Sequence, residues 1–220
     1  MQTENKLLLT IFENKIFRTN ISEIVQIDSI LLLIHGYTGD ENSMRIFGQE
    51  APANTLFISP QAPYPSSLGG YSWVDEKEAH NSRQIFSRYI EAAATLKTTL
   101  DHFFIQNSIR NPLIAIAGFS QGAAMAYTLS ILYPQWVRKV AALAGFIPEG
   151  YESYLKPELM QNIEYFIAHG EKDQTVTIEK AVAAYTVLNA AGARVKYCTD
   201  QSEHKLGASC FRGLGAFLKS

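Results

Sequence analysis

The stretch that most restricts how this chain can fold runs from Pro112 to Met125. Leu113 to Ala117 is an apolar run short enough for a buried strand, and an Ala-rich run follows Gly122 that reads as a helix. Between them lies Gly118-Phe119-Ser120-Gln121-Gly122, a Gly-x-Ser-x-Gly sequence. A serine on so sharp a strand-to-helix turn holds its hydroxyl away from the sheet. The turn is crowded, so the positions two before and two after the serine must be small. Both are glycine, and Ala123 follows. The first N–H groups of the next helix face the place where negative charge would develop on an attacked carbonyl. Ser120 is therefore the candidate nucleophile. A Gly/Ser turn in any α/β protein uses the same residue types, and the strand before and helix after it set this one apart.

The rest of the composition limits the alternatives. With 220 residues, 47% hydrophobic and 18% charged, the chain is long enough for a substantial core and is expected to form one domain over residues 1–220. The net charge is -2 and there is no long basic run, which argues against a nucleic-acid partner. The N-terminus lacks the basic start and long apolar segment of a signal peptide, and Ile30 to Ile34 is far too short to span a membrane. Cys198 and Cys210 make no metal-ligand pattern. They can pair in principle, but two thiols in a cytosolic chain are usually free and reduced. The expectation is a soluble cytoplasmic protein with no membrane-embedded segment.

Read in order, Lys6 to Phe12 and Lys15 to Ile21 form an antiparallel hairpin through Glu13-Asn14, placed at one edge of a larger sheet. Ile24 to Ile27 is a candidate extension of it. Ile30 to Ile34 is a strand covered on both faces. It runs into His35-Gly36-Tyr37-Thr38-Gly39-Asp40. Thr55 to Ser59 is a third strand. Pro60 to Asp75 is rich in Pro, Gly and aromatics, which argues against any regular element there. Ile85, Tyr89, Ala92, Leu96, Leu100 and Phe103 recur every three or four residues, giving a helix within Glu78 to Ile105. Nearby His80 and His102 read as surface residues. After the serine turn come strands at Val137 to Ala144, Ile163 to Ala168 and Arg194 to Thr199, with helices at Ile178 to Ala190 and Leu206 to Leu218. Strands alternating with helices give an α/β fold, a mainly parallel sheet with helices on both faces. Ligands in such sheets bind at the carboxyl ends of the strands. The loops after Ile34, Ala117, Ala168 and Thr199 all lie at that edge.

A serine hydroxyl needs a base to take its proton, and histidine titrates near neutral pH. His35 and His169 each follow a strand directly and precede a glycine, so both read as structural. His204, in a polar loop between the last strand and last helix, is the candidate base. The base needs a carboxylate to fix its tautomer. Asp173 is the candidate and Glu171 its rival, while Asp200 is too near His204 in sequence to approach from a separate loop. The order Ser120, Asp173, His204 is the one expected of α/β-hydrolases. A second backbone N–H must meet the oxyanion, and in this fold type it comes from the loop after an early strand. Tyr37 is nominated, with Thr38 as the neighbour that could replace it. The same loop also reads as a glycine turn before a helix beginning near Asp40 or Glu41. No cluster has metal spacing and no phosphate loop is present, so no cofactor is expected.

Several motifs together carry a family resemblance. They are Leu33 to Asn42, Pro60-Gln-Ala-Pro63, Gly70-Tyr-Ser-Trp73, Gly118-Phe-Ser-Gln-Gly122, His169 to Val176 and the late His204. With them the chain resembles the phospholipase/carboxylesterase family of small serine hydrolases, which includes acyl-protein thioesterases. The resemblance implies an α/β-hydrolase fold with Ser120, Asp173 and His204 as the triad. It implies the N–H groups of Tyr37 and Gln121 as oxyanion donors and a small-molecule ester or thioester as substrate. Long-chain lysophospholipids and acyl-proteins are the alternative substrates. Trp73, Tyr71, Phe146, Ile147 and Leu206, with Tyr64, are candidate pocket walls, although Trp73 and Tyr71 read equally well as a plug for the core. Exposed aromatics there could also form a weak homodimer contact. Two residues depart from the family pattern. Glu203 stands where Gly often precedes the histidine and adds negative charge beside the base, and Ala123 stands where a third glycine is common. A ligand-binding module on a hydrolase fold would have lost a triad residue. A dienelactone-hydrolase-like enzyme would usually carry Cys at the position of Ser120.

Overall fold

Apolar runs of five to seven residues, too short for helices, pair into one sheet in the computed structural model, which describes residues 7–49, 51–75 and 85–220. Strands β1 (Leu8–Phe12) and β2 (Lys15–Thr19) form the expected hairpin. Its turn residues Glu13 and Asn14 both have positive φ, 49° and 59°, as a two-residue hairpin turn requires. Then come β3 (Ser29–Ile34), α1 (Arg45–Gly48), β4 (Thr55–Pro60), β5 (Tyr64–Pro65), β6 (Tyr71–Ser72) and α2 (Ile85–Gln106). The second half is β7 (Ile114–Phe119), α3 (Gln121–Leu132), β8 (Val137–Leu143), α4 (Pro157–Met160), β9 (Glu164–Gly170), α5 (Ile178–Ala190), β10 (Arg194–Asp200) and α6 (Ala208–Lys219).

The sheet order is β1-β2-β4-β3-β7-β8-β9-β10. From β4 to β10 neighbours are parallel, and only the hairpin edge is antiparallel. Residues of each central strand alternate between two cores. Ile30, Leu32, Ile34, Ile116, Val140 and Ile167 face one side with α2, α3 and α5. Leu31, Leu33, Ala117, Leu143 and Ala168 face the other with α6 and Met44. This double burial is why the strands read as continuous apolar runs rather than alternating ones. The chain leaves β3 toward β4, then crosses to β7 on the opposite side of β3 and continues outward. The loops after β3 and β7 therefore diverge at a switch point, where such sheets open a crevice.

Four expectations need correction. Ile24 to Ile27 adds no strand, because the Asn20 amide takes the ladder position beside β4. Its Nδ2 donates to Thr55 O at 2.9 Å and its Oδ1 accepts from Phe57 N–H at 2.9 Å. Pro60 to Asp75 does hold regular structure, the two-residue ladder β5–β6. Gly69 and Gly70, at φ 90° and 67°, reverse the chain between its strands. The helix expected near Asp40 starts later, at Arg45, because the Asp40 carboxylate accepts from Asn42 N–H at 3.0 Å and Ser43 Oγ–H at 2.8 Å and holds a turn there. Finally, Cys198 and Cys210 are bonded to each other, not free. The packing of α6 against the sheet brings their Cα atoms to 5.7 Å, a proximity that cysteine spacing does not display. The expected start of the long helix at Glu78, and His80 with it, lie outside the described residues. No helix among the described residues is long and apolar enough to cross a membrane.

Candidate active site

Ser120 sits between β7 and α3 with φ 53° and ψ −115°, a conformation that costs a non-glycine residue about 1–3 kcal/mol. Its neighbours over-determine it. A Cβ on Gly118 would lie 2.1 Å from Gly122 O, and one on Gly122 would lie 2.1 Å from Ile34 O. Both motif glycines are thus required by backbone packing. Ser120 N–H donates to Leu143 O at 2.8 Å, and Ser120 O accepts from Ala123 N–H at 2.9 Å. Helix α3 is buried from Gly122 to Ile131, so the elbow rests on a rigid base. Ala123, the departure from the family's third glycine, fits because Gly145 faces it. A Cβ on Gly145 would fall 2.2 Å from the Ala123 methyl.

His204 links the serine to the carboxylate. Its Nε2 is 3.0 Å from Ser120 Oγ, and its Nδ1 is 2.7 Å from Asp173 Oδ2. The carboxylate fixes the hydrogen on Nδ1 and leaves the Nε2 lone pair toward the hydroxyl. Asp173 is buried, and its other oxygen accepts from Thr175 N–H and Val176 N–H, each at 2.9 Å. Burial alone would raise its pKa. The His204 bond and the Val176 and Thr175 amides outweigh that and hold it below the usual carboxylate value. Gly170 lets the His204 loop approach, since a Cβ there would lie 2.3 Å from Ser202 O. The rival Glu171 is turned away, accepting from Thr199 Oγ1–H at 2.9 Å and from Gln201. Asp200 holds the His204 loop by accepting from Ser202 N–H at 3.0 Å. Glu203 is exposed.

His35 and His169 are both buried, as expected of structural residues. His35 Nδ1 bonds Gly36 O at 2.8 Å, and its Nε2 accepts from Ala62 N–H at 3.0 Å. Desolvation lowers its pKa and keeps the ring neutral. His169 Nε2 lies 2.7 Å from Val176 O and buttresses the Asp173 turn. His102, on the surface, pairs with Glu13 at 2.9 Å.

Gly36 brings the β3 loop against the elbow, where a Cβ would lie 3.1 Å from Phe119 O and 3.3 Å from Ser120 Cβ. Of the two candidate donors there, Thr38 is already committed, since its N–H donates to Tyr71 O at 3.0 Å. Among the described residues, the N–H groups of Tyr37 and Gln121 have no protein acceptor.

The candidate pocket walls are divided between the two cores. Trp73 is 2% exposed. Tyr71, Phe146 and Ile147 are partly buried against the core on the α2–α3 side, and Leu206 packs on the α6 side. Tyr64 and Trp73 line a cavity of about 250 Å³ with Lys15, Phe17 and Arg88, but none of Ser120, Asp173 and His204 lines it. Sequence reasoning missed an aromatic column beside His204. The Phe119 ring lies 5.1 Å from the His204 ring, and Phe47 stacks on Phe119 at 6.4 Å. Phe119 occupies a variable position inside the motif, so its type carried no signal. The side chain of Gln121 was missed too. Its Oε1 accepts from Trp73 N–H at 2.9 Å.

Comparison with known proteins gives concordant matches. The profile of the family described as Phospholipase/Carboxylesterase matches residues 20–220. A probable carboxylesterase SOBER1-like of Arabidopsis thaliana is 26% identical over 184 residues, 77% of this chain and 69% of the relative. Acyl-protein thioesterase 1 of Saccharomyces cerevisiae is 29% identical over 171 residues, 70% of this chain and 74% of the relative. Among solved structures, a carboxylesterase from Mesorhizobium loti superposes with a TM-score of 0.81 at 19% identity, covering 97% of this chain and 98% of that one.

Proposed function

This chain belongs to the phospholipase/carboxylesterase family, and from that premise we propose that Ser120, His204 and Asp173 are the catalytic triad of a carboxylic ester hydrolase. The fold is the α/β-hydrolase fold and the protein is a serine hydrolase acting on esters. The observation that carries the residue assignment is the continuous line from Asp173 Oδ2 through His204 to Ser120 Oγ, at 2.7 and 3.0 Å. We take residues 1–220 as one hydrolase domain.

In the first step His204 Nε2 takes the proton of Ser120, and Oγ forms a bond to the carbonyl carbon. The carbonyl electron pair moves to oxygen, where the N–H groups of Tyr37 and Gln121 receive it. Collapse expels the alcohol or thiol, which leaves with the proton held by His204. Water then repeats the sequence on the acyl-enzyme, giving the acid and restoring Ser120. Losing one oxyanion donor in such a site lowers turnover about 10²–10³-fold.

A thioester substrate is the second reading, favoured by the similarity to an acyl-protein thioesterase, and it uses the same steps. The test is hydrolysis of 4-nitrophenyl esters from acetyl to palmitoyl beside a matched thioester series, with Ser120→Ala as control. The expected result is ester cleavage that falls to background in the variant. Equal inertness of two folded proteins would remove the hydrolase assignment. Rates that hold or rise with long acyl thioesters would move the substrate to acyl-proteins or lipids. A cytoplasmic location belongs to the same reading. The Cys198–Cys210 bond argues against it, because glutathione keeps cytosolic thiols reduced. Acid-quenched thiol labelling in cells decides the point.

A further inference from the structure

The buried Trp73 joins the two segments that carry the oxyanion donors. Its backbone N–H donates to Gln121 Oε1 at 2.9 Å, on the first residue of α3. Its indole N–H donates to His35 O at 2.8 Å, two residues before Tyr37. The amide orientation of Gln121 is fixed at its other end, since Nε2 donates to Ser72 Oγ at 3.0 Å while Ser72 Oγ–H donates to Val74 O at 2.7 Å. The His35 ring is fixed by Gly36 O and Ala62 N–H and lies 5.2 Å from the indole. Next to Trp73, Tyr71 accepts from Thr38 N–H at 3.0 Å and donates to Gly39 O at 2.9 Å. The chain from Tyr71 to Trp73 is thus bonded to the β3 loop on one side and to the head of α3 on the other.

This matters because an oxyanion site works only when both donors reach one oxygen at about 2.7–3.1 Å. The β3–β7 ladder aligns the two segments up to the pair Ile34↔Gly118. Tyr37 and Gln121 lie three residues beyond that pair, where sheet pairing has ended. Resting on the oxyanion assignment made above, we propose that Trp73 is a positioning residue that sets the separation of the Tyr37 and Gln121 N–H groups. It does this through the Gln121 side chain and the His35 carbonyl. It is not a wall of the substrate pocket.

Two substitutions cut the bridge at opposite ends. Trp73→Phe removes the indole donor and keeps a buried ring, and Gln121→Met removes the amide while keeping the backbone N–H at 121. The measurements are kcat and KM on a short 4-nitrophenyl ester, the inhibition constant of a trifluoromethyl ketone bearing the same acyl chain, and Tm. The ketone forms a hemiketal oxyanion with Ser120 and reports the donors directly. Each variant is expected to lower kcat about 10- to 100-fold, below the full loss of one donor. KM should stay within about twofold, and ketone binding should weaken in step with kcat. The double variant should be no worse than the weaker single one, because both interrupt one connection. If kcat and ketone binding stay near the parent values while only Tm falls, the bridge is structural and the proposal fails. A raised KM with unchanged kcat overturns it too, returning Trp73 to the pocket. If Trp73→Phe does not fold, Gln121→Met carries the test alone. A parent enzyme inert on esters, or a Ser120→Ala variant as active as the parent, would instead remove the underlying assignment.

Discussion

At the scale of single residues, the elbow shows how a strained backbone is held. Ser120 at φ 53° is unfavourable by itself, and Gly118 and Gly122 permit it by letting backbone atoms fill the space where side chains would be. The exchange at Ala123 follows the same steric rule. Its methyl uses the space that Gly145 leaves empty, so the pair behaves as one unit. Gly145→Ala places two methyl carbons 2.2 Å apart and forces the elbow to shift. Overpacking of this kind costs about 1–3 kcal/mol, and the shift should lower kcat at least tenfold. Adding Ala123→Gly should recover most of both losses, leaving a milder contact of 3.2 Å to Ser120 O. Urea unfolding and ester turnover of the two singles and the double measure this, and additive losses would dissolve the pairing. The elbow was legible in the sequence because its constraint is local, five residues with two glycines. Trp73 was not, because its partners Gln121 and His35 lie 48 and 38 residues away. An aromatic in a Pro/Gly-rich stretch looks the same whether it lines a pocket or bridges two loops.

Among the elements, the segment from β10 to α6 carries His204 and is held at several points. Glu171 N–H donates to Asp200 O at 2.7 Å and Lys172 N–H to Ser202 O at 3.0 Å, and the Cys198–Cys210 bond closes the loop around His204. With a sequence separation of 12, loop-closure entropy gives the disulfide about 3 kcal/mol. For a chain of this length that corresponds to a Tm drop of roughly 6–12 °C on reduction. Dithiothreitol, or Cys198→Ala with Cys210→Ala, should produce the same drop in differential scanning fluorimetry. Ester turnover at 25 °C should fall less than tenfold, because the carbonyls of Asp200 and Ser202 stay bonded to the β9 loop. An unchanged Tm would show that the bond contributes nothing to the folded state. The regular elements were legible because the central strands β3, β4, β7, β8 and β9 are largely buried on both faces and α2 repeats its apolar residues at three and four. What escaped depended on contacts across the sheet. The Asn20 amide ended the hairpin, two glycines made a ladder where composition argued for none, and packing of α6 joined two cysteines that spacing left apart.

Across the whole molecule, the site lies where the sheet changes direction, and the groups that hold it there also set how the fold responds to acid. His35 is buried with a lowered pKa, so below about 6.5 the unfolded chain binds a proton that the native ring refuses. Stability therefore begins to fall as pH drops through the unfolded value of the histidine. Asp173 and Asp40 are shifted the same way for a different reason. Burial would raise both, but the bonds from His204 and from Ser43, with neighbouring amides, hold them ionised below the usual carboxylate value. Their contribution is complete above about pH 4 and is lost as pH falls through their native values. Urea unfolding between pH 7.5 and 3 should thus show two stages, a shallow decline below about pH 6.5 and a steeper one below about pH 4. One proton taken up on unfolding gives a slope of about 1.4 kcal/mol per pH unit. His35→Asn should flatten the first stage and leave the second, whereas Asp173→Asn should leave the first and reduce the second to the share of Asp40. A single decline unaffected by either substitution would mean that acid sensitivity resides in the general surface charge. It would then not reside in the contacts that assemble the loop after β3, the elbow and the loop after β9 into one site.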